Sequence, residues 1–292
     1  MIINMPLDMN KTVAKLCYKL LCSAGCGKKF KFIILGGQKC ASTSLASFLN
    51  SHPACAYSIG GKESRYFSKY YKSKNQKCPM SVRHNWRKLL FDATTEYIYL
   101  KEVAERIYKY NPDMKLILLV RNPITRAFSE YQMHYNYALQ GLTFWEDPTG
   151  EYLERLKDAE HYPFEWFIEE ELRKIDATQS VSSDAFQYPD FLRRGLYSIQ
   201  LENYYRYFKP EQILILEDKE LQGDKKQTLF RVEEFLGLQH FDWPDDVLYN
   251  RNIGKYHFVL SESCHEKLQQ FFIPWNEVFF RLIGKRMDWN QL

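Results

Sequence analysis

The 292-residue chain has no run of residues long and apolar enough to cross a bilayer, which excludes stable insertion through a helix. It has no strong charge of either sign. With 40 Lys and Arg against 36 Asp and Glu, the net +4 is too mild and too dispersed for a nucleic-acid binder. Internal repeats and low-complexity tracts are missing. The stretch from Thr12 to Ala24 is interrupted by Lys15 and Lys19 and is followed by no clean cleavage pattern. Residues 1–30 therefore read as an amphipathic or frayed leader and not as a signal peptide. Cysteine is sparse and odd in number: seven thiols without a secretion signal favour a reduced, cytoplasmic protein. Cys17, Cys22 and Cys26 fit no standard zinc spacing, so no metal is expected. What remains, 45% hydrophobic residues in one chain of this length, suffices for one sizeable core.

The chain also lacks the usual ATP loop, G-x-x-x-x-G-K-[S/T], in which lysine follows the second glycine. A related feature stands in its place. Residues Lys31 to Leu45 run from an apolar strand through a small-residue loop into a helix, with Lys39 early and Ala41, Ser42, Thr43 and Ser44 behind it. Such a loop aims backbone N–H groups and the positive end of a helix dipole at one point, which is an anion cradle. A second segment, Met114 to Tyr131, repeats the logic. Arg121 sits at its strand–helix joint, Pro123 fits the first helical turn, and Ser129 follows about two turns later. Two phosphate-type sites on strand ends suit a nucleotide phosphorylated at both its 5′ and 3′ positions.

The pair Gln-Lys-Cys-Ala-Ser-Thr-Ser-Leu and Arg-Asn-Pro-(x)2-Arg-(x)2-Ser-(x)-Tyr resembles the sulfotransferase superfamily, whose donor is 3′-phosphoadenosine 5′-phosphosulfate (PAPS) and whose nucleotide product is PAP. Lys62 to Phe67 resembles the Lys-Glu-x-x-Phe-Phe element of its heparan sulfate branch, where the glutamate is the general base. Gly195 to Leu216 and Phe235 to Gly237 match that branch in order and spacing. Ile253 to His257 resembles its closing nucleotide loop, normally Lys-Gly-Arg-x-His. The resemblance spans roughly residues 31 to 289. Two departures stand out: Ala93 occupies the place of an acceptor-side lysine in the stretch Asp92 to Tyr97, and Ile253 replaces the first lysine of the closing loop. The heparan-modifying members carry a membrane anchor and a C-terminal disulfide. Neither is evident in this sequence, which suggests a bacterial-type soluble member.

Alternation of elements predicts an α/β fold, a P-loop NTPase-like parallel sheet flanked by helices. Strands are expected at Phe32–Leu35, Lys115–Val120 and Ile213–Leu216, and helices at Ser42–Asn50 and Leu100–Tyr110. The sulfotransferase domain would occupy residues 31–292. A segment at about 140–187 breaks the pattern and reads as a helical insertion or lid near the acceptor. Between Gln140 and Asp176 it holds 11 acids against the four bases Arg155, Lys157, Arg173 and Lys174. That excess would repel a polyanion and favour a neutral or cationic small molecule, such as a cationic alkaloid of secondary metabolism. The competing explanation is that the acids merely coat amphipathic helices.

The resemblance implies a role for each motif residue. Lys39 would neutralise the leaving phosphate, and the N–H groups of Cys40, Ala41, Ser42, Thr43 and Ser44 would hold the 5′-phosphate. Arg121 and Ser129 would take the 3′-phosphate, and Gly254, Lys255 and Tyr256 would close over the nucleotide. Glu63 would take the proton from an acceptor hydroxyl or nitrogen, unless it merely pairs with Lys62 or Arg65. His134, five residues beyond Ser129, is the alternative base. Polysaccharide sulfation, a P-loop kinase and a non-catalytic nucleotide-binding protein remain as alternatives. The kinase lacks both G-K-[S/T] and an acid at the end of the second strand.

Overall fold

A computed structural model describes residues 29–58, 61–74, 88–142, 150–178, 190–248 and 254–290. Most of the N-terminal leader, its three cysteines, Ile253 and parts of the 140–187 segment lie outside the described residues. Five parallel strands form one sheet: β1 (Phe32–Gly36), β2 (Cys55–Tyr57), β3 (Leu89–Ala93), β4 (Lys115–Val120) and β5 (Ile213–Glu217), in the order β2-β3-β1-β4-β5. β1 and β4 are buried at nearly every position, as expected of central strands covered on both faces. The short β2 and β3 are additions to the three strands expected from sequence. β3 escapes the apolar pattern because Asp92 is fully buried within it.

The order fixes where ligands bind. From β1 the chain leaves through α1 (Ser42–Ser51) toward β2, and from β4 it passes through several helices toward β5 at the opposite edge. The crevice between the C-terminal ends of β1 and β4 is therefore the topological switch point, where open α/β sheets take their ligands. Both expected anion motifs fall there. Between β3 and β4 lies α2 (Lys101–Tyr110), which begins one residue later than expected, with Leu100 as its extended N-cap.

α3 (Pro123–Leu139) starts where its sequence dictates. Asn122 Oδ1 accepts from the N–H groups of Ile124 and Thr125, and Pro123 fills a position that needs no donor. The following helices α4 (Glu151–Lys157) and α5 (Phe164–Thr178) belong to the acid-rich segment. Together with α3 they enclose a second, aromatic core of Tyr131, Phe164, Phe167 and Phe191, separate from the one around the sheet. After α6 (Tyr197–Tyr205) and β5 come α7 (Asp218–Gln222), α8 (Lys225–Leu236) and the long α9 (Glu262–Ile283). No helix among the described residues is long and apolar enough to cross a membrane.

Candidate active site

The loop after β1 is held open by backbone geometry. Lys39 and Ala41 take left-handed φ values of 67° and 62°, and the N–H of Cys40 turns back to the carbonyl of Gly37 at 3.2 Å. Ser44 and Leu45 donate to Ala41 as α1 begins. The N–H groups of Ala41, Ser42 and Thr43 have no acceptor among the described residues, and Ala41 offers no side-chain cap. Three donors thus converge at an uncapped helix start, which is the arrangement an anion satisfies. Lys39 stands beside them without an ion pair to any described carboxylate. Burial pushes its ammonium below the usual lysine value, while the carboxylate of Glu130 opposes that shift.

Arg121 reaches this loop from the end of β4. Its Nη1 lies 3.3 Å from the carbonyl oxygen of Lys39, and its Nε donates to Thr125 Oγ1 at 2.9 Å. Asp218 supplies a carboxylate 3.5 Å from the same Nε. The cation at this helix N-terminus is therefore partly met by protein, which a sequence reading of Arg121 as an anion seeker does not foresee. Burial raises the Asp218 carboxyl to about 6 despite Arg121, so the pairing is not a strong one. Ser129 is nearly buried, and its hydroxyl has no partner among the described residues. It shares a face of α3 with Gln132 and Asn136, at helical spacings of three and seven. Those two residues dock the closing loop. Gln132 accepts from the N–H of His257 at 2.9 Å, and Asn136 donates to the carbonyl of Lys255 at 2.9 Å. Tyr256 lies over Phe128, ring centres 6.2 Å apart. Gly254, Lys255 and Tyr256 thus border the helix that carries Ser129.

Glu63 is placed by β3. Its backbone N–H donates to the carbonyl of Ala93 at 3.1 Å, and its carboxylate accepts from the N–H of Thr95 at 3.2 Å and the Thr95 hydroxyl at 3.3 Å. The buried Asp92 ties the surrounding turn together. It accepts from Ser64 Oγ at 2.6 Å and Tyr97 Oη at 2.5 Å, while the Tyr97 hydroxyl takes the N–H of Phe67. Thr95 in turn presses on the phosphate loop. A Cβ on Gly36, whose φ is 94°, would come within 2.5 Å of the Thr95 Cα. Glu63 and Lys39 are thereby tied to one another through Thr95 and Gly36. Lys62 Nζ lies 2.5 Å from Glu63 Oε1, so the purely structural pairing is present, yet the Glu63 side chain keeps 32% of its surface exposed. Arg65 pairs instead with Glu96.

The structure bears on two expectations. His134, weighed as an alternative base against the favoured exposed or structural role, is buried: its Nδ1 sits 2.8 Å from the Tyr152 hydroxyl, and burial lowers its pKa to about 4. It serves the packing of α4 on α3. The acid excess of the 140–187 segment is largely spent within the protein. Glu151 pairs with Arg155, Glu154 with Lys157, Asp158 with His161, Glu170 with Arg173, and Glu169 with Lys267 of α9. Glu171 is buried, where it accepts from the N–H groups of Phe191 and Leu192. Cys40 is a loop residue and not a nucleophile: burial pushes its thiol up to about 12, so it stays protonated. Sequence reading also missed Thr95, Asp92 and Tyr197, although all three lie in stretches it singled out.

A family model for the sulfotransferase domain matches residues 29–251, and the chain belongs to that family. It is a transferase of the sulfotransferase class. The heparan sulfate glucosamine 3-O-sulfotransferase 5 of Mus musculus is 26% identical over 89% of this chain and 73% of its own length. The membrane-associated sulfotransferase kil1 of Dictyostelium discoideum is 25% identical over 93% and 68% respectively. A sulfotransferase of Alicyclobacillus acidocaldarius has the same fold, with a TM-score of 0.65 at 22% identity over 90% of this chain and all of that one. The family generally takes its sulfuryl group from PAPS.

Proposed function

We propose that this protein transfers the sulfuryl group of PAPS to a hydroxyl or nitrogen of an acceptor, with Lys39 and Glu63 as its catalytic residues. The observation that carries this reading is the set of donors at Ala41, Ser42 and Thr43 with no acceptor among the described residues, beside the Lys39 ammonium, which has no ion pair among them. A group with phosphate chemistry fits that set, since it fills three vacant donors and meets a cation in a partly desolvated place. When bound, PAPS supplies an activated sulfuryl group on a phosphosulfate anhydride.

The chain's residues then divide the work. Backbone N–H groups from Cys40 to Ser44 and the hydroxyls of Ser42, Thr43 and Ser44 bind the 5′-phosphate. Lys39 offsets the negative charge that grows on the leaving phosphate, the kind of electrostatic help that dominates transfers of this type. Arg121 and Ser129 bind the 3′-phosphate, a planar fork and a hydroxyl being suited to it. Gly254, Lys255 and Tyr256 close over the nucleotide from the face of α3. Glu63, fixed by Thr95, accepts the acceptor's proton. No residue in this scheme calls for a metal.

For the acceptor we favour a small neutral or cationic molecule of natural-product type. Ala93 in place of a lysine supports this, as does the engagement of Lys62 by Glu63. The acid-rich segment supports it less than its composition suggests, because five of its acids are paired with bases and Glu171 is held by backbone N–H groups. A saccharide acceptor is the second reading, favoured by the names of the 3-O-sulfotransferase relatives. We read the 140–187 segment as an insertion beside the acceptor side; Glu171 on α5 grips the backbone just ahead of the turn into α6. A cytoplasmic setting is supported by the free, buried thiols of Cys40, Cys55 and Cys264.

Titration calorimetry with PAP, against ATP and magnesium, tests the donor. Tight binding of PAP alone is expected, and binding of ATP instead overturns the reading. Turnover of PAPS with a panel of amines, phenols and heparan-type oligosaccharides then separates the two acceptor classes. Replacing Glu63 by Gln should leave the PAP affinity within about twofold and lower turnover by roughly 10²- to 10⁴-fold, the usual range for loss of a general base. Full activity in that variant would remove Glu63 from the mechanism.

A further inference from the structure

The two anion sites lie on different strands, and one side chain joins them. Tyr197, at the start of α6, is buried, and its hydroxyl donates to the carbonyl of Arg121 at 3.1 Å while accepting the Arg121 N–H at 3.3 Å. The same oxygen lies 3.4 Å from Sγ of Cys40 in the loop after β1. The fit around it is close. A Cβ on Gly37 would stand 2.9 Å from Cys40 Sγ and 3.5 Å from the Tyr197 ring. From behind, the ring is held by Phe279 and Trp289, with centroids 5.6 and 5.8 Å away. Trp289 is itself anchored, donating from Nε1 to Glu217 at 2.6 Å, and its carbonyl accepts from Asn122 beside Arg121.

We infer that Tyr197 is a positioning residue that fixes the spacing between the loop at Lys39–Ser44 and the joint at Arg121, so that the two sites bind a doubly phosphorylated nucleotide as a unit. A flexible pair of sites gains little from the second phosphate, because ordering the first site does not place the other. A rigid pair gains the full contribution of both contacts once one is made. The single hydroxyl spans the loop and the joint, and the aromatic wall of Phe279 and Trp289 keeps it from swinging away. The inference rests on the donor reading above.

The test is a ratio of affinities. Calorimetry of the wild-type protein with PAP and with 5′-AMP, which lacks the 3′-phosphate, should show PAP bound tighter by on the order of 100-fold, within the usual span of coupling between sites. Tyr197→Phe should narrow that ratio about fivefold to tenfold. Cys40→Ala leaves the Arg121 contact and removes the loop contact, so it should narrow the ratio by a smaller factor of about two to three. A general loss of packing lowers both affinities together and leaves their ratio alone. An unchanged ratio in Tyr197→Phe therefore overturns the inference even if both affinities fall. Should that variant fail to fold, as judged by thermal melting, an unchanged ratio in Cys40→Ala does the same. Equal binding of both nucleotides by the wild-type protein overturns the donor reading itself.

Discussion

The loop between β1 and α1 and the acid-rich segment of α4 and α5 treat their polar groups in opposite ways. In the loop, the N–H groups of Ala41, Ser42 and Thr43 and the ammonium of Lys39 have no acceptor or carboxylate partner among the described residues, although Lys39 is partly desolvated. In the segment, Glu151, Glu154, Asp158 and Glu170 each meet a base three or four residues away, and Glu169 meets one across on α9. The first N–H groups of a helix have no intrahelical acceptor, and where no side chain caps them a bound anion can take that place. Paired surface charges cost almost nothing and say little. By composition the segment is the more conspicuous region; unmet bonding capacity among the described residues is what supports placing the donor site at the loop.

The largest expected effect lies in the loop. Lys39→Ala removes the ammonium beside the vacant donors, so turnover of PAPS should fall by about 10²- to 10³-fold, as when a preorganised electrostatic group is lost. PAP calorimetry should show weaker binding in parallel, and the melting temperature should hold, since Lys39 makes no ion pair among the described residues. A large drop in melting temperature would make Lys39 structural and erase the contrast.

Gly36→Ala addresses the contact that ties the loop to Glu63. The added Cβ would meet the Thr95 Cα at 2.5 Å in a conformation with φ of 94°, and backbone cannot step aside as a flexible side chain would. The expected cost is about 2 to 4 kcal/mol, overpacking and positive-φ strain combined, which would lower the melting temperature by several degrees. Because Thr95 carries Glu63, turnover should fall further than stability alone explains. An unchanged kcat in folded protein would show that Glu63 is positioned by something else.

Much of this was legible beforehand, for reasons that can be named. β4 was found to the residue because six apolar-rich positions end at Arg-Asn-Pro, and α3 begins at Pro123 because Asn122 and proline both specify a helix start. The turn from β1 into α1 follows from an apolar strand meeting a run of small residues. β3 was hidden, since a strand carrying a fully buried aspartate contradicts the apolar pattern until its partners Ser64, Thr94 and Tyr97 are seen. Those partners come from 28 residues upstream or lie beyond the strand's end, so no local pattern contains them. Tyr197 falls in a recognised stretch, yet its contacts to Cys40 and Arg121 span 157 and 76 positions. A structural role for His134 was also legible: five residues along a helix is about 140° around from Ser129, so the two lie on different faces of α3.

That role has its own pH signature. His134 carries a folded-state pKa of about 4, lowered by burial, against the ordinary 6.5. A depressed histidine is taken up by protons mainly in the unfolded chain, so its contribution to stability is complete above pH 6.5 and is lost as the pH falls toward 4. His134→Gln retains a hydrogen-bonding group for Tyr152 and has no such titration. Its melting temperature should therefore decline less than that of the wild type between pH 6.5 and 4. At neutral pH its turnover should stay within about twofold, since a general base contributes 10²-fold or more. Loss of turnover with an unaltered acid limb would return His134 to the active site.

The smallest effect belongs to the segment. Glu170→Gln breaks an exposed pairing with Arg173 on α5, three residues apart on the helix. Exposed pairs of this kind contribute about 0.3 to 0.5 kcal/mol, so the melting temperature should move by no more than about 1 to 2 °C, and less still in high salt, where screening removes most of the attraction. Turnover with a small acceptor should not change. Acceptor KM is the informative quantity: if Glu170→Gln, combined with Glu154→Gln, raises KM for a cationic acceptor and lowers it for an anionic saccharide, then the paired acids still shape the field over the acceptor side. If KM is indifferent to both charges, the segment's acidity is a property of its helix surfaces alone, and acceptor choice is made by the groups around Glu63, where Lys62 pairs with Glu63 and Arg65 with Glu96.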